Sequence, residues 1–221
     1  MCGRYSFAVE PKEAERRFHA QFVGEYAPRY NAAPSQNLPV ILNESPDKFV
    51  FVHWGLMPPW LEKLKKSDGL INVRAETLRE KPTFKNDLLN RRCLIPADGF
   101  YEWKKSLAGK KIPYRFTLKD GSPFALAGIW EINQDDRGEK IKTFAIITTS
   151  ANKIIEPIHN RMPVILRRES ESSWLSEQLS LPKIYDILEP YSSKDMKYYE
   201  VSTIVNSAKL DSSEVINPIQ S

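Results

Sequence analysis

An α+β fold is what this sequence predicts: one β-rich domain with a barrel-like mixed sheet and peripheral helices. Three observations lead there. Strand-like segments, rich in β-branched and aromatic residues, outnumber helical ones. They follow one another with few helices between them, which argues against a doubly wound parallel sheet. No internal repeat, low-complexity tract or Gly/Ser linker interrupts the 221 residues, so residues 1–221 read as a single domain.

The elements follow in order. Residues 4–9 alternate as a strand, and Pro11 sits early in a helical pattern over residues 11–22, where its fixed φ suits the first turn. Strands are expected at residues 39–42 and 48–54, and an amphipathic helix at residues 83–90. Strands at residues 114–118 and 124–130 flank Lys119-Asp120-Gly121-Ser122-Pro123, a run of turn formers expected to join two antiparallel strands. A polar loop over residues 133–138 precedes a strand at residues 143–149, and another strand is expected at residues 163–166. Helices are expected at residues 169–179, after a run of charges, and at residues 182–188. The polar tail from residue 207 reads either as loosely held or as an ordinary terminal segment.

Composition narrows the function classes. Hydrophobic residues make up 41% and charged residues 27%, too apolar for a disordered chain. With 32 Lys+Arg against 28 Asp+Glu the formal net charge is +4, which suits a polyanionic partner without requiring one. The longest apolar run, residues 124–130, falls far short of the ~18 residues of a membrane span, and the first residues hold no apolar signal segment. A soluble protein of a reducing cytoplasm, with no membrane partner, is therefore expected. Cys2 and Cys93 are the only cysteines and neither belongs to a CxxC, so neither a disulfide framework nor a zinc site of ordinary spacing is expected.

Cys2 is the most unusual feature. Cysteine is small enough that an aminopeptidase normally removes the Met before it, which leaves a mature chain beginning with a free 1,2-aminothiol. An α-amine titrates at roughly 7.7–8.0 against about 10.4 for lysine, so about a tenth of it is neutral and nucleophilic at neutral pH. Such an amine attacks an aldehyde to give an imine, and the thiol two carbons away closes the imine into a five-membered thiazolidine. Opening that ring breaks both a C–N and a C–S bond, so the capture is durable. The chemistry requires no metal and no organic cofactor. The competing reading is that position 2 simply takes a small buried residue, as free cysteines often are.

Three other segments set polar groups among apolar neighbours: Ile71-Asn72-Val73-Arg74-Ala75-Glu76-Thr77, Pro96-Ala97-Asp98-Gly99-Phe100-Tyr101-Glu102-Trp103 and Ile158-His159-Asn160-Arg161-Met162-Pro163. Three more complete the set: Met1-Cys2-Gly3-Arg4-Tyr5, Arg29-Tyr30-Asn31-Ala32-Ala33-Pro34 and Trp54-Gly55-Leu56-Met57-Pro58-Pro59-Trp60. In these motifs and their order the chain resembles the SRAP family, the SOS-response-associated proteins. The resemblance implies a β-rich fold that binds single-stranded DNA as a monomer and cross-links Cys2 to the ring-opened aldehyde of an abasic site. Some strand-cleaving lyase activity through the imine is also implied.

By that resemblance Asn72 lies beside the Cys2 amine and helps hold the linkage, Glu102 acts as acid and base near the amine and the sugar, and His159 assists opening of the deoxyribose. A carboxyl and an imidazole suit imine formation, which needs proton transfers in both directions near neutral pH. Each has a plainer reading: Asn72 as a helix N-cap, Glu102 as a strand carboxylate paired with an arginine, His159 as a structural histidine like His19 and His53. Arg4, Arg74 and Arg161, each within two residues of one of these groups, are the candidates for gripping phosphates; structural salt bridges to Glu76 or Glu102 are the alternative. Trp54 and Trp60 could stack bases, with core packing as the rival. Thr148 and Ser150, at a strand end, could donate to phosphates. The basic residues within 63–66 and the pair Lys104-Lys105 read as solvated faces.

Two departures from the family pattern are visible: Trp60 is followed by Leu61 where many relatives have a second tryptophan, and Asn160 replaces a frequent aspartate. Beyond residue 167 the resemblance is weak and implies nothing about function. Two other functions fit parts of the sequence. One is an N-terminal-Cys peptidase with autoprocessing activity, in which Glu102 and His159 activate the thiol toward a peptide carbonyl. The other is a passive nucleic-acid binding module whose salt-sensitive binding does not need Cys2.

Overall fold

The computed structural model describes residues 2–58, 69–81, 84–106, 108–134 and 137–219. The chain opens with β1 (Tyr5–Phe7) and α1 (Pro11–Phe18), which begins on Pro11 and stops where His19 turns to φ 53. Then come β2 (Gln21–Phe22), β3 (Arg29–Ala32), β4 (Asn37–Leu42), β5 (Ser45–Trp54), β6 (Asn72–Arg74) and two short helices, α2 (Ala75–Glu80) and α3 (Lys85–Asn90). The second half holds β7 (Arg92–Ala97), β8 (Gly99–Lys105), β9 (Lys111–Leu118), β10 (Phe124–Gln134), β11 (Lys140–Ser150) and β12 (Arg161–Pro163). It ends with α4 (Arg168–Leu175), α5 (Leu181–Ile187) and β13 (Met196–Glu200).

Strands β5, β4, β7, β10 and β11 pair antiparallel in that order, and β11 returns to β5 in parallel through Thr143↔His53 and Phe144↔Trp54. That last pairing closes a mixed five-strand barrel, with no open edge among its members. β2 extends β5, while β6 and β12 flank the far end of β11. A second sheet, in the order β13-β9-β8-β1-β3, lies alongside. Two barrel strands, β7 and most of β10, have both faces covered: residues 92–97 and 124–130 are buried throughout. Gly128 interrupts one run for a packing reason. A Cβ there would lie 2.5 Å from Ile95 Cδ1 and 2.7 Å from Cys93 Sγ, too close for any side chain.

Arg92 ties the helices to the barrel. It is fully buried, and its guanidinium donates to the carbonyls of Leu88 (2.6 Å), Leu89, Trp174 (2.7 Å) and Ser176 (2.6 Å). These are carbonyls at the C-terminal ends of α3 and α4, where a cation is favoured.

The barrel-like mixed sheet with peripheral helices matches the fold expected from sequence, and several boundaries differ for identifiable reasons. The helix expected over residues 11–22 ends at Phe18, and Gln21–Phe22 pairs with β5 instead. The Lys119–Pro123 run does turn, with Gly121 at φ 75, but it does not join paired strands. It carries the chain from β9 in one sheet to β10 in the other, a choice set by long-range pairing rather than turn chemistry. The strand expected at residues 163–166 is β12 plus an isolated bridge from Ile165 to Leu126. Of the helix expected over residues 83–90, Lys85–Asn90 is helical and Thr83 lies outside the described residues. The helices expected at residues 169–179 and 182–188 are Arg168–Leu175 and Leu181–Ile187. The tail is held: Val215 is fully buried and Pro218 bridges to Val201.

Candidate active site

The two sheets meet around Cys2. β1 pairs with β8 through Tyr5↔Phe100, and the Tyr101 amide donates to the Arg4 carbonyl at 3.0 Å, which draws the chain ahead of β1 alongside Glu102. Across the junction, β6 lies parallel to β11 with Asn72 opposite Ile146. From there Asn72 Nδ2 donates to the Cys2 carbonyl at 2.9 Å. Its Oδ1 is buried with no hydrogen-bond partner among the described residues. Asn72 is therefore not an N-cap: it sits inside β6, and the residue before α2 is the extended Arg74.

Cys2 is fully buried, with its thiol 3.9 Å from the Arg4 carbonyl. Burial, and secondarily the negative charge of Glu102, push the thiol far above its ordinary range, so it is protonated at neutral pH. Glu102 is 3% exposed, and burial raises its carboxyl above the usual carboxylate range. The positive charge of His159 is among the influences that oppose that rise, which ties Glu102 and His159 to one site. His159 lies in the loop before β12, where its Nδ1 accepts from the Arg161 amide at 3.0 Å. The same Nδ1 lies 3.3 Å from the Arg161 carbonyl. A thiol holding its proton, a carboxyl inclined to keep its own and an imidazole make a set suited to moving protons around a carbonyl carbon. Among the described residues no group of three or more His, Cys, Asp or Glu could hold a metal ion.

The predicted phosphate-binding residues are found in several kinds of surroundings. Arg161 forms a fork with Glu76, at 2.7 and 2.9 Å, and reaches the Thr148 carbonyl at 2.6 Å, the salt bridge weighed as its alternative. That hydrogen bond lowers the Glu76 carboxyl. Arg4 Nη1 donates to Asn31 Oδ1 (2.7 Å) and to the Val205 carbonyl (2.5 Å), so that group is committed to the fold. Arg74 is exposed, and among the described residues no hydrogen bond or ion pair engages its guanidinium. Ser150 is exposed opposite Arg161, whereas Thr148, expected to donate to a phosphate, is fully buried, and its hydroxyl accepts from Arg161 Nη2 at 3.5 Å. The base-stacking role expected of Trp54 has no exposed face to use. Its ring is fully buried between Tyr5 and Phe144, at 5.3 and 6.1 Å, and its Nε1 donates to the Ile71 carbonyl. Trp60 and residues 63–66 lie outside the described residues.

Sequence reasoning missed Asn31. Fully buried, it donates through Nδ2 to the carbonyls of Val205 (3.3 Å), Ser207 (3.0 Å) and Leu210 (2.7 Å). It thereby fastens the C-terminal segment behind Arg4. Only its place in the Arg29-to-Pro34 motif hinted at a role, and no chemical pattern distinguished it.

The sequence profile of the family described as SOS response associated peptidase (SRAP) matches residues 1–208. The chain belongs to the SRAP family. Among its SRAP relatives is "Abasic site processing protein YoqW" of Bacillus subtilis, 45% identical over 98% of this chain and 99% of that protein. "Abasic site processing protein YedK" of Escherichia coli is 29% identical over 99% of this chain and 100% of its own length. "Abasic site processing protein HMCES" of Rattus norvegicus is 28% identical over 99% of this chain and 76% of its own length. A protein from Bacteroides thetaiotaomicron solved by X-ray crystallography superposes with a TM-score of 0.89 at 29% identity, over 99% of this chain and 100% of that one. The SRAP fold is thus shared along nearly the whole chain.

Proposed function

We propose that this protein processes abasic sites in single-stranded DNA by forming a covalent cross-link through Cys2 once Met1 has been removed. The observation that carries the reading is the pinning of the Cys2 backbone by Asn72 beside the buried Glu102 carboxyl. The names of the SRAP relatives supply the lesion.

The neutral amine of Cys2 attacks the ring-opened aldehyde carbon; a C–N bond forms and the carbonyl oxygen takes a proton. Loss of that oxygen as water gives the imine, with a carboxyl or imidazole supplying one proton and recovering another. The thiol then adds across the C=N bond: sulfur bonds to carbon, and the thiol proton passes to nitrogen. A thiol kept protonated by burial suits this order, with amine first and sulfur second. Glu102 and His159 are the proton carriers, and Asn72 orients the residue that reacts.

Intact-mass spectrometry tests the reading. Protein beginning at Cys2 is incubated with an oligonucleotide carrying one abasic site, beside an undamaged strand. The expected result is a denaturation-resistant mass of protein plus strand with the damaged oligonucleotide only, absent in Cys2→Ala. Cys2→Ser keeps the amine, so it is expected to give an adduct trapped by borohydride but not a durable one. No adduct from protein shown to begin at Cys2 would refute the cross-link and favour passive binding.

A further inference from the structure

The face of β8 that carries Glu102 continues beyond the reactive site. Side chains two residues apart share a strand face, so Phe100, Glu102 and Lys104 lie in one row along β8. Their partners on β9 are Phe116, Tyr114 and Ile112. On β13, Tyr198 stands opposite Phe116 and Glu200 opposite Tyr114. The face is thus buried core at Phe100, Phe116 and Glu102, emerges at Tyr114, and reaches solvent at Lys104 and, along the sheet edge, at Tyr198 and Glu200.

Two aromatic rings occupy this emerging surface. Tyr198 is 45% exposed, with one side of its ring stacked on Phe116 at a centroid distance of 5.4 Å and an angle of 23°. Tyr114 meets it edge-on at 5.7 Å. A ring fixed on one side by the core and open on the other is a preorganised platform, and a base stacks on such a face whatever its sequence. The charges on the face separate what belongs where. Glu200 lies on the Tyr114 row, with its carboxylate 3.4 Å from the Tyr114 hydroxyl, and so repels a phosphate there while accepting an N–H from a base edge. Lys104, exposed one step beyond Glu102 on the same face, offers the cation that a phosphate needs.

We propose that Tyr198 and Tyr114 form a subsite for the base of a nucleotide flanking the lesion, next to the reactive site on the same sheet face. The inference rests on the proposed function for its substrate, and it assigns a base-stacking role to residues that no motif marked.

The test uses equilibrium binding rather than capture, so the two readings fail separately. Fluorescence anisotropy is measured with a single strand carrying a tetrahydrofuran abasic analogue, which has no aldehyde. A matching strand has tetrahydrofuran spacers in place of the flanking nucleotides as well. The parent protein is expected to bind the base-flanked strand about tenfold more tightly than the spacer-flanked one, and Tyr198→Ala to lose that advantage without weaker binding to the spacer-flanked strand. Tyr198→Phe keeps the ring and is expected to bind within about twofold of the parent, as a stacking contact requires. The subsite is overturned if Tyr198→Ala binds the base-flanked strand like the parent, if it loses equally on both strands, if Tyr198→Phe fails as badly as Tyr198→Ala, or if the parent does not distinguish the strands.

Discussion

Burial of the Glu102 carboxyl makes stability depend on pH in one direction. The folded chain holds that proton to a higher pH than the unfolded chain does, because burial raises the carboxyl more than the amino terminus and His159 lower it. The associated stability is fully present below the ordinary carboxylate value and is lost as the pH rises through the raised one. Glu102→Gln removes this titration. Thermal unfolding of both proteins is expected to show the variant gaining on the parent as the pH climbs above about 4.5, and a difference that stays flat would mean that burial does not govern this carboxyl. Covalent capture by Glu102→Gln is expected to slow by ~10²-fold or more, as loss of a proton carrier would require.

At the scale of elements, two of the polar groups that fasten the C-terminal segment, one amide and one carboxylate, carry unequal weight. Asn31, itself fully buried, holds three carbonyls of the segment and accepts from Arg4. Asp211 accepts from the Tyr30 and Asn31 amides and pairs with Arg29, but a quarter of its side chain is exposed. Asn31→Ala leaves Arg4 and the carbonyls without this partner, at an expected cost of about 2–3 kcal/mol. Asp211→Asn keeps an acceptor oxygen and gives up only a solvent-screened ion pair, for less than about 1 kcal/mol. Urea-unfolding midpoints would check the contrast, and equal losses would show that the segment is held by charge rather than by the Asn31 amide.

For the whole molecule, a formal net charge of +4 is modest, so the proposed strand binding would fall to particular cations. Arg74 and Arg161 lie on the same rim but in different states: Arg74 is exposed, whereas Arg161 is locked in its fork with Glu76. Each phosphate contact to a single strand adds about 0.7 to the slope of log affinity against log salt. Arg74→Ala is accordingly expected to flatten that slope by about 0.7, while Arg161→Ala shows first as a lower unfolding temperature. An unchanged slope for Arg74→Ala would remove it from the interface.

The sequence by itself determined what depends on local pattern and on covalent chemistry. The apolar runs of β10 and β11, the helix start at Pro11, the cysteine at position 2 and the motifs holding Asn72, Glu102 and His159 were all legible. The tertiary structure decided the rest, because a strand's partner is fixed by register over long separations and not by its own residues. The sequence marked Glu102 on β8, but only the Tyr5–Phe100 pairing sets it beside the chain start, and β13 has no evident role until Tyr198 pairs with Phe116. Closure of the barrel through the β5–β11 pairing buried Trp54, which the sequence offered as a stacking surface. Long-range pairing also drew Asn31 against the tail and brought Tyr198 onto the face of Glu102, placements that no local propensity encodes.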